Sequence, residues 1–269
     1  MKKVFIGVCA GIAVLIIVGL SLTMVTRSRR KAETASVSQR QIVEAAEEAF
    51  LKGDFLEAKK LYKDAMNQIS NLAKLDIVKR RLEDINMKII FSALVDEGSV
   101  KYVVQPNDAL VKIARKFNTT VDLIKRANNL ESDVIIPGQV LKVNADKFAI
   151  AIDKSQNMLF LKRRGEIIKK YPVATGKDNS SPVGSFKIIN RLVNPTWFKT
   201  GAIISPDSPE NILGSRWMGF DMKGYGIHGT TEPDAIGEQV TLGCIRMKNT
   251  DIEELFAIIP TGTEVDIVD

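Results

Sequence analysis

The sequence predicts a multidomain chain: an N-terminal transmembrane helix with basic flanks (residues 1–31), an α-helical hairpin segment (32–98), a small βααβ module (99–145) and a mainly β domain of sandwich type (146–269). Three observations carry this reading. Val4 to Val25 form an uninterrupted charge-free run. Apolar residues recur three and four apart between Gln41 and Leu94, the period of helices. After Lys147 they fall into short runs punctuated by Gly and Pro, the pattern of strands and turns.

The charge-free run is 22 residues long, enough at a rise of about 1.5 Å per residue to cross a hydrocarbon core of about 30 Å. A cleavable signal peptide has an apolar core of about 7 to 15 residues and a small-residue site soon after it. Neither feature fits, so an uncleaved anchor through residues 4–25 is expected. Lys2, Lys3, Arg27, Arg29, Arg30 and Lys31 flank the run and account for the whole formal charge of +6. The remaining residues hold 32 Lys and Arg against 32 Asp and Glu. A neutral body has no field to attract a polyanion, so no nucleic-acid partner is expected.

In the helical segment, Ala45, Ala49 and Leu51 precede Gly53-Asp54, and Ala58, Leu61, Tyr62 and Ala65 follow it. Two amphipathic helices turning at Gly53 result. A third helix, from about Leu75 to Leu94, offers Ile77, Leu82, Ile85, Ile89 and Ile90 to cover the hairpin's open face. The pattern resembles one tetratricopeptide repeat. A single repeat buries its own core poorly, which leaves two readings: a module for a protein partner, or a spacer stalk.

The βααβ module reads as a strand at Lys101–Val104, helices at Leu110–Phe117 and Thr119–Ile124, and a strand within Ile136–Val143. It resembles the LysM module over nearly its whole length, which implies binding of N-acetylglucosamine chains such as peptidoglycan glycan. Where that family usually has Gly-Asp-Thr, this chain has Asn107-Asp108-Ala109. Asn tolerates a left-handed backbone, so the turn is expected to survive. Ala109 lacks a hydroxyl that would meet sugar. As a tethered second site, the module is expected to be dispensable for reaction with soluble substrates.

In the β domain, Phe148–Ile152 and Met158–Leu161 flank Ser155-Gln156-Asn157 as a hairpin, and strands follow at Ile167–Val173 and Phe186–Ile189. A helix is expected after Thr250-Asp251-Ile252-Glu253, which fits a capping box, and Pro260-Thr261-Gly262 stops it.

This domain holds the only histidine of the chain, His228, and, sixteen residues on, Cys244; the other cysteine, Cys9, lies in the N-terminal apolar run. A thiol is a poor nucleophile until it loses its proton, and a nearby imidazole is the commonest group to take it. The alternative is an inert buried cysteine beside an incidental histidine. Gly226, Gly229 and Gly243 bracket both side chains, a backbone freedom that packed apolar positions rarely need, and this favours catalysis. One histidine, one usable thiol and no HExxH or CxxC spacing leave a zinc site without ligands, so neither metal nor cofactor is implied.

The segments Ile227-His228-Gly229 and Thr241-Leu242-Gly243-Cys244-Ile245-Arg246 are preceded by Tyr171–Gly176, Ser181–Phe186, Asn194–Trp197 and Leu213–Met218. Over about residues 147 to 269 this order resembles the L,D-transpeptidase catalytic domain of the YkuD type. The resemblance implies that Cys244 attacks the third residue of a peptidoglycan stem peptide, releasing D-alanine, while His228 moves the protons and the Gly229 carbonyl orients its ring. It implies an oxyanion hole of N–H groups around Leu242, Gly243 and Cys244, with Thr241 and Arg246 at the substrate. Arg246 either meets a stem-peptide carboxylate or pins the cysteine loop. The acyl group then passes to an amine, in cross-linking or protein attachment; transfer to water and a non-catalytic wall anchor are the alternatives. Such work places the enzyme in the membrane facing the cell wall, although the positive-inside rule would retain the Arg27–Lys31 cluster in the cytoplasm.

Overall fold

The computed structural model describes residues 39–69, 71–199 and 201–269, and the expected anchor at residues 4–25 lies outside them. Among the described residues no helix is long and apolar enough to cross a membrane. The chain divides into two compact units, one ending at Arg81 and one spanning Leu82–Asp269.

In the first unit α1 (residues 39–51) and α2 (Phe55–Met66) turn at Gly53, whose φ of 79° lies in the left-handed region. Asp54 caps α2 by accepting the Glu57 N–H at 3.2 Å. The hinge therefore falls where the sequence puts it. Arg81 closes the unit with two bonds to the Glu47 carboxylate, at 2.6 and 3.1 Å, and the Tyr62 hydroxyl donates to the same group.

The third helix departs from expectation. α3 runs Leu72–Ile90, and of the residues expected to close the hairpin, Ile77 is 61% exposed while Ile90 joins the core of the β domain together with Met87. Asn86 Nδ2 donates to the Ile168 carbonyl at 3.0 Å. The apolar stripe at the end of α3 is thus spent on the β domain.

The LysM-like module pairs β1 (Ser99–Val103) antiparallel with β2 (Val140–Asn144), around α4 (Leu110–Lys116) and α5 (Val121–Ala127). Leu110, Ile113, Ile124, Leu141 and Val143 form its own core. The Asn107 turn survives as expected, at φ 67°, with Asp108 accepting the Gln105 N–H and the Tyr102 hydroxyl, each at 2.8 Å. Ala109 leaves α4 without a side-chain cap.

This module is not a free tether. Leu123 of α5 is buried in the same apolar cluster as the β-domain core. Thr120 accepts the Leu123 N–H at 2.9 Å and donates its own hydroxyl to the Ala257 carbonyl. Lys142, 6% exposed, donates to the Ser92 carbonyl at 2.9 Å and to the Ile89 carbonyl, so a cation caps the C-terminal end of α3. Burial lowers that ammonium to a pKa of about 8. Asp96, between α3 and β1, forms a buried pair with Arg163. The strand–helix–helix–strand order reveals the module in the sequence, whereas the α5 face that docks elsewhere gives no separate signal.

The β domain corrects the sandwich expectation. Its eight-stranded sheet has the order β13-β11-β10-β7-β14-β3-β4-β5, built from β3 (Phe148–Asp153), β4 (Met158–Arg163), β5 (Glu166–Pro172), β7 (Gly184–Val193), β10 (Arg216–Phe220), β11 (Gly226–His228), β13 (Ile245–Arg246) and β14 (Glu264–Val268). Two short ribbons pair β6 (Thr175–Gly176) with β12 (Gln239–Thr241) and β8 (Trp197–Lys199) with β9 (Ala202–Ile204). The ten-residue β7 is the reason for one sheet: Gly184–Lys187 pair with β14, and Ile188–Val193 pair with β10. Both halves of the sheet curl onto α6 (Asn249–Ile258), whose Ile252, Leu255, Phe256 and Ile258 share one core with Ile150, Leu159, Met218, Ile227 and Val265. A helix apolar on most of its circumference belongs inside, and each such side chain contributes about 1.5–3 kcal/mol by leaving water. α6 starts at Asn249 with no side-chain cap, so the capping box at Thr250 does not form.

Candidate active site

Sheet register brings the sequence candidates together. Leu192, Trp217, His228 and Arg246 are successive partners across β7, β10, β11 and β13, and their side chains share one face. A second row on that face runs Asn190, Gly219, Gly226. Ile227 pairs with Ile245 in the parallel ladder of β11 and β13, so the residue before Ile245, Cys244, extends this second row beside Gly226. Cys244 and His228 then lie one strand and two residues apart, about 8 Å between Cα atoms by ladder geometry, with side chains on the same side.

The His228 ring is set by its neighbours. Nδ1 lies 2.7 Å from the Gly229 carbonyl oxygen, which fixes the proton on Nδ1 and leaves the Nε2 lone pair free. Burial drives the imidazole pKa down to about 4; the Gly229 bond opposes this and the Arg246 charge adds to it. Burial likewise raises the Cys244 thiol, against the Gly226 N–H and the Arg246 charge, which favour the thiolate. Burial therefore favours the neutral form of both the thiol and the imidazole. Sγ donates to the Gly224 carbonyl at 3.4 Å, so transfer to His228 requires the thiol to turn away from that carbonyl.

The turn that carries Cys244 is built by Thr241 and Gly243. Thr241 was expected at the substrate; its hydroxyl instead donates to the Cys244 carbonyl at 2.7 Å and accepts the Gly243 N–H at 3.1 Å, and the residue is buried. That bond also occupies the Gly243 N–H expected in the oxyanion hole. Gly243 has φ 125°, and a Cβ there would stand 2.7 Å from Tyr225 Cε1. Leu242, 92% exposed, projects from the turn. Arg246 does meet a carboxylate, but one of its own chain: Nη1 lies 2.7 Å from Glu232 Oε2, while its buried Nε has no partner among the described residues. Its backbone pairs with Ala174 in both directions.

Three residues of this framework were not singled out from sequence. Asn249 Oδ1 accepts the N–H groups of Ser215 and Thr230, each at 3.1 Å, and its Nδ2 donates to the Thr230 carbonyl at 2.8 Å. It holds the strand end that presents Gly229 to His228. Trp217 stacks on His228 at 6.0 Å between ring centroids and 18° between planes, and Asn190 accepts the indole N–H at 3.0 Å. A cavity of about 250 Å³ opens on Cys244, walled by Leu192, Pro195, Trp197, Phe198 and Trp217. A larger one, about 510 Å³, lies in the helical unit among Arg40, Glu44, Lys74 and Val78, and among the described residues no cysteine or histidine lines it.

Comparison with known proteins agrees with this architecture. The family model for the L,D-transpeptidase catalytic domain, YkuD, matches residues 147–267, and that for the LysM domain matches residues 102–144. Both ranges lie beyond the helical segment. The protein named L,D-transpeptidase YkuD in Bacillus licheniformis is 35% identical over 175 residues, which cover 62% of this chain and 97% of that one. Its namesake in Bacillus subtilis is 34% identical over 174 residues, 62% and 97% of the two chains. L,D-transpeptidase YqjB of B. subtilis is 41% identical over 126 residues, 45% and 70% of the two. The fold and the matches define a LysM-bearing acyltransferase of the cell-wall type. The chain belongs to the YkuD family of L,D-transpeptidases.

Proposed function

We propose that Cys244 is the nucleophile of this L,D-transpeptidase and His228 its general base. What supports the proposal is that the register puts His228 and Cys244 on one sheet face, with Cys244 lining a cavity and the buried histidine ring oriented by the Gly229 carbonyl. As Sγ attacks the carbonyl of the third stem residue, Nε2 takes the thiol proton. Starting from two neutral partners, proton transfer accompanies attack rather than preceding it. The tetrahedral oxyanion falls to the N–H groups of Leu242 and Cys244, the Gly243 N–H being held by Thr241. Collapse expels D-alanine, protonated by His228, and leaves a thioester. An incoming amine gives its proton to His228 and takes the acyl group. Arg246, tied to Glu232, pins the turn and adds positive potential at both groups. The LysM module holds glycan, and the charge-free run 4–25 anchors the enzyme in the membrane, facing the wall.

The test is mass spectrometry of products from purified tetrapeptide stems. Appearance of cross-linked dimers with free D-alanine supports transfer. Tripeptide without dimers means that water is the acceptor, and no consumption of tetrapeptide would overturn the substrate assignment.

A further inference from the structure

The row Leu192–Trp217–His228–Arg246 gives the tryptophan a place that the reaction itself does not explain. Trp217 is the direct antiparallel partner of His228, and its ring lies nearly parallel to the imidazole. Beside it on the same face stand Gly219 and Gly226, paired with each other. A Cβ on Gly219 would come within 2.5 Å of Asn190 Oδ1 and 2.8 Å of Trp217 Nε1, and one on Gly226 within 2.9 Å of Trp217 Cζ2. The two glycines thus form a floor on which the indole lies flat. Asn190 Oδ1 then fixes its outer edge, accepting the indole N–H at 3.0 Å and the Gly219 N–H at 3.2 Å. Trp217 also lines the cavity at Cys244.

We infer that Trp217, locked by Asn190 over the Gly219–Gly226 floor, is a positioning residue that covers the His228 ring, excludes water from it and holds it as an uncharged base. The inference rests on the reading of His228 as the base. The indole supplies no proton and no charge, so its effect runs through desolvation and ring orientation. Among the described residues, the charged or titratable groups beside the imidazole are Arg246 and Cys244, with Glu232 behind Arg246. On β10, Arg216 turns toward the Phe256 ring, 5.6 Å from its centroid, and Glu253. Burial, rather than a carboxylate partner, is therefore what Trp217 regulates.

Because the chain has one histidine, its titration can be followed by NMR in the whole protein without substrate. Trp217→Leu should move the His228 titration upward by about one pH unit or more, toward the ordinary value, as water reaches the ring. The acid limb of the rate profile should move with it. Trp217→Phe keeps a stacked ring and should titrate close to wild type, and Asn190→Ala, which frees the indole edge, should shift the same way as Leu by less. Circular dichroism identifies any variant that fails to fold, and Asn190→Ala then carries the test. A His228 titration unchanged in folded Trp217→Leu and Asn190→Ala would overturn the inference. Its failure is distinguishable from failure of the base assignment, which would show as near-normal turnover in His228→Gln.

Discussion

Leu123→Ala, a change in the LysM-like module, should destabilise the catalytic domain. Leu123 is 2% exposed and packs in the β-domain core cluster, so truncation removes its transfer free energy and leaves a cavity, together about 2–5 kcal/mol. For a cooperative unit the size of Leu82–Asp269, 3 kcal/mol corresponds to a fall in Tm of roughly 6–12 °C. Both tryptophans, Trp197 and Trp217, lie in the β domain, so unfolding monitored by their fluorescence reports that domain alone. The expected result is a single transition shifted to lower urea and temperature, with Val111→Ala, at a 55% exposed site of the same module, as an inert control. A tryptophan transition unmoved by Leu123→Ala would refute the docking argument. Deleting residues 101–143 should, on the same reasoning, impair turnover even of soluble stems, contrary to the sequence expectation of a dispensable tether.

Four further outcomes follow from the site. The acid limb of the rate profile should fall near pH 4, where His228 protonates, rather than near 6.5; a limb at the ordinary histidine value would contradict its burial. The same group links to stability: its folded pKa lies below its unfolded one, so its contribution is complete above pH 6.5 and is lost as pH falls to about 4, costing about 3 kcal/mol that urea titrations at several pH values would measure. Gly243→Ala meets Tyr225 and a φ of 125°, strain of about 1–3 kcal/mol that should distort the cysteine turn and cut turnover on the order of 10²-fold; a near-normal kcat would show that the turn tolerates a Cβ. Asn249→Ala unpairs two N–H groups and a carbonyl, costing about 1–3 kcal/mol, and should slow turnover without abolishing alkylation of Cys244 by a small thiol reagent.

The candidate site was legible because it rests on scarce residues. One histidine, the one cysteine outside the N-terminal apolar run and the glycines around them stand out in the sequence, and the Asn107 turn and Gly53 hinge follow from backbone tolerance alone. What stayed hidden depends on register between distant strands. Nothing local in Asn190 or Trp217 says that β7 and β10 will align them with Gly219 and His228. Asn249 stands just before the Thr250 capping box and carries no signal of its own in the sequence, while its side chain serves Ser215 and Thr230. The single sheet in place of a sandwich, and the transfer of Met87 and Ile90 to the β-domain core, are likewise decided by tertiary packing: an apolar stripe shows that a face is buried, not against what.

The central claim, covalent catalysis through Cys244, is tested most directly by intact-mass analysis of the enzyme mixed with tetrapeptide stem and no amine acceptor. The account requires a thioester adduct of the stem less D-alanine, mapped to the peptide containing Cys244, absent in Cys244→Ala and discharged when an amine is added. Turnover by Cys244→Ala, or an adduct on any other residue, would contradict it.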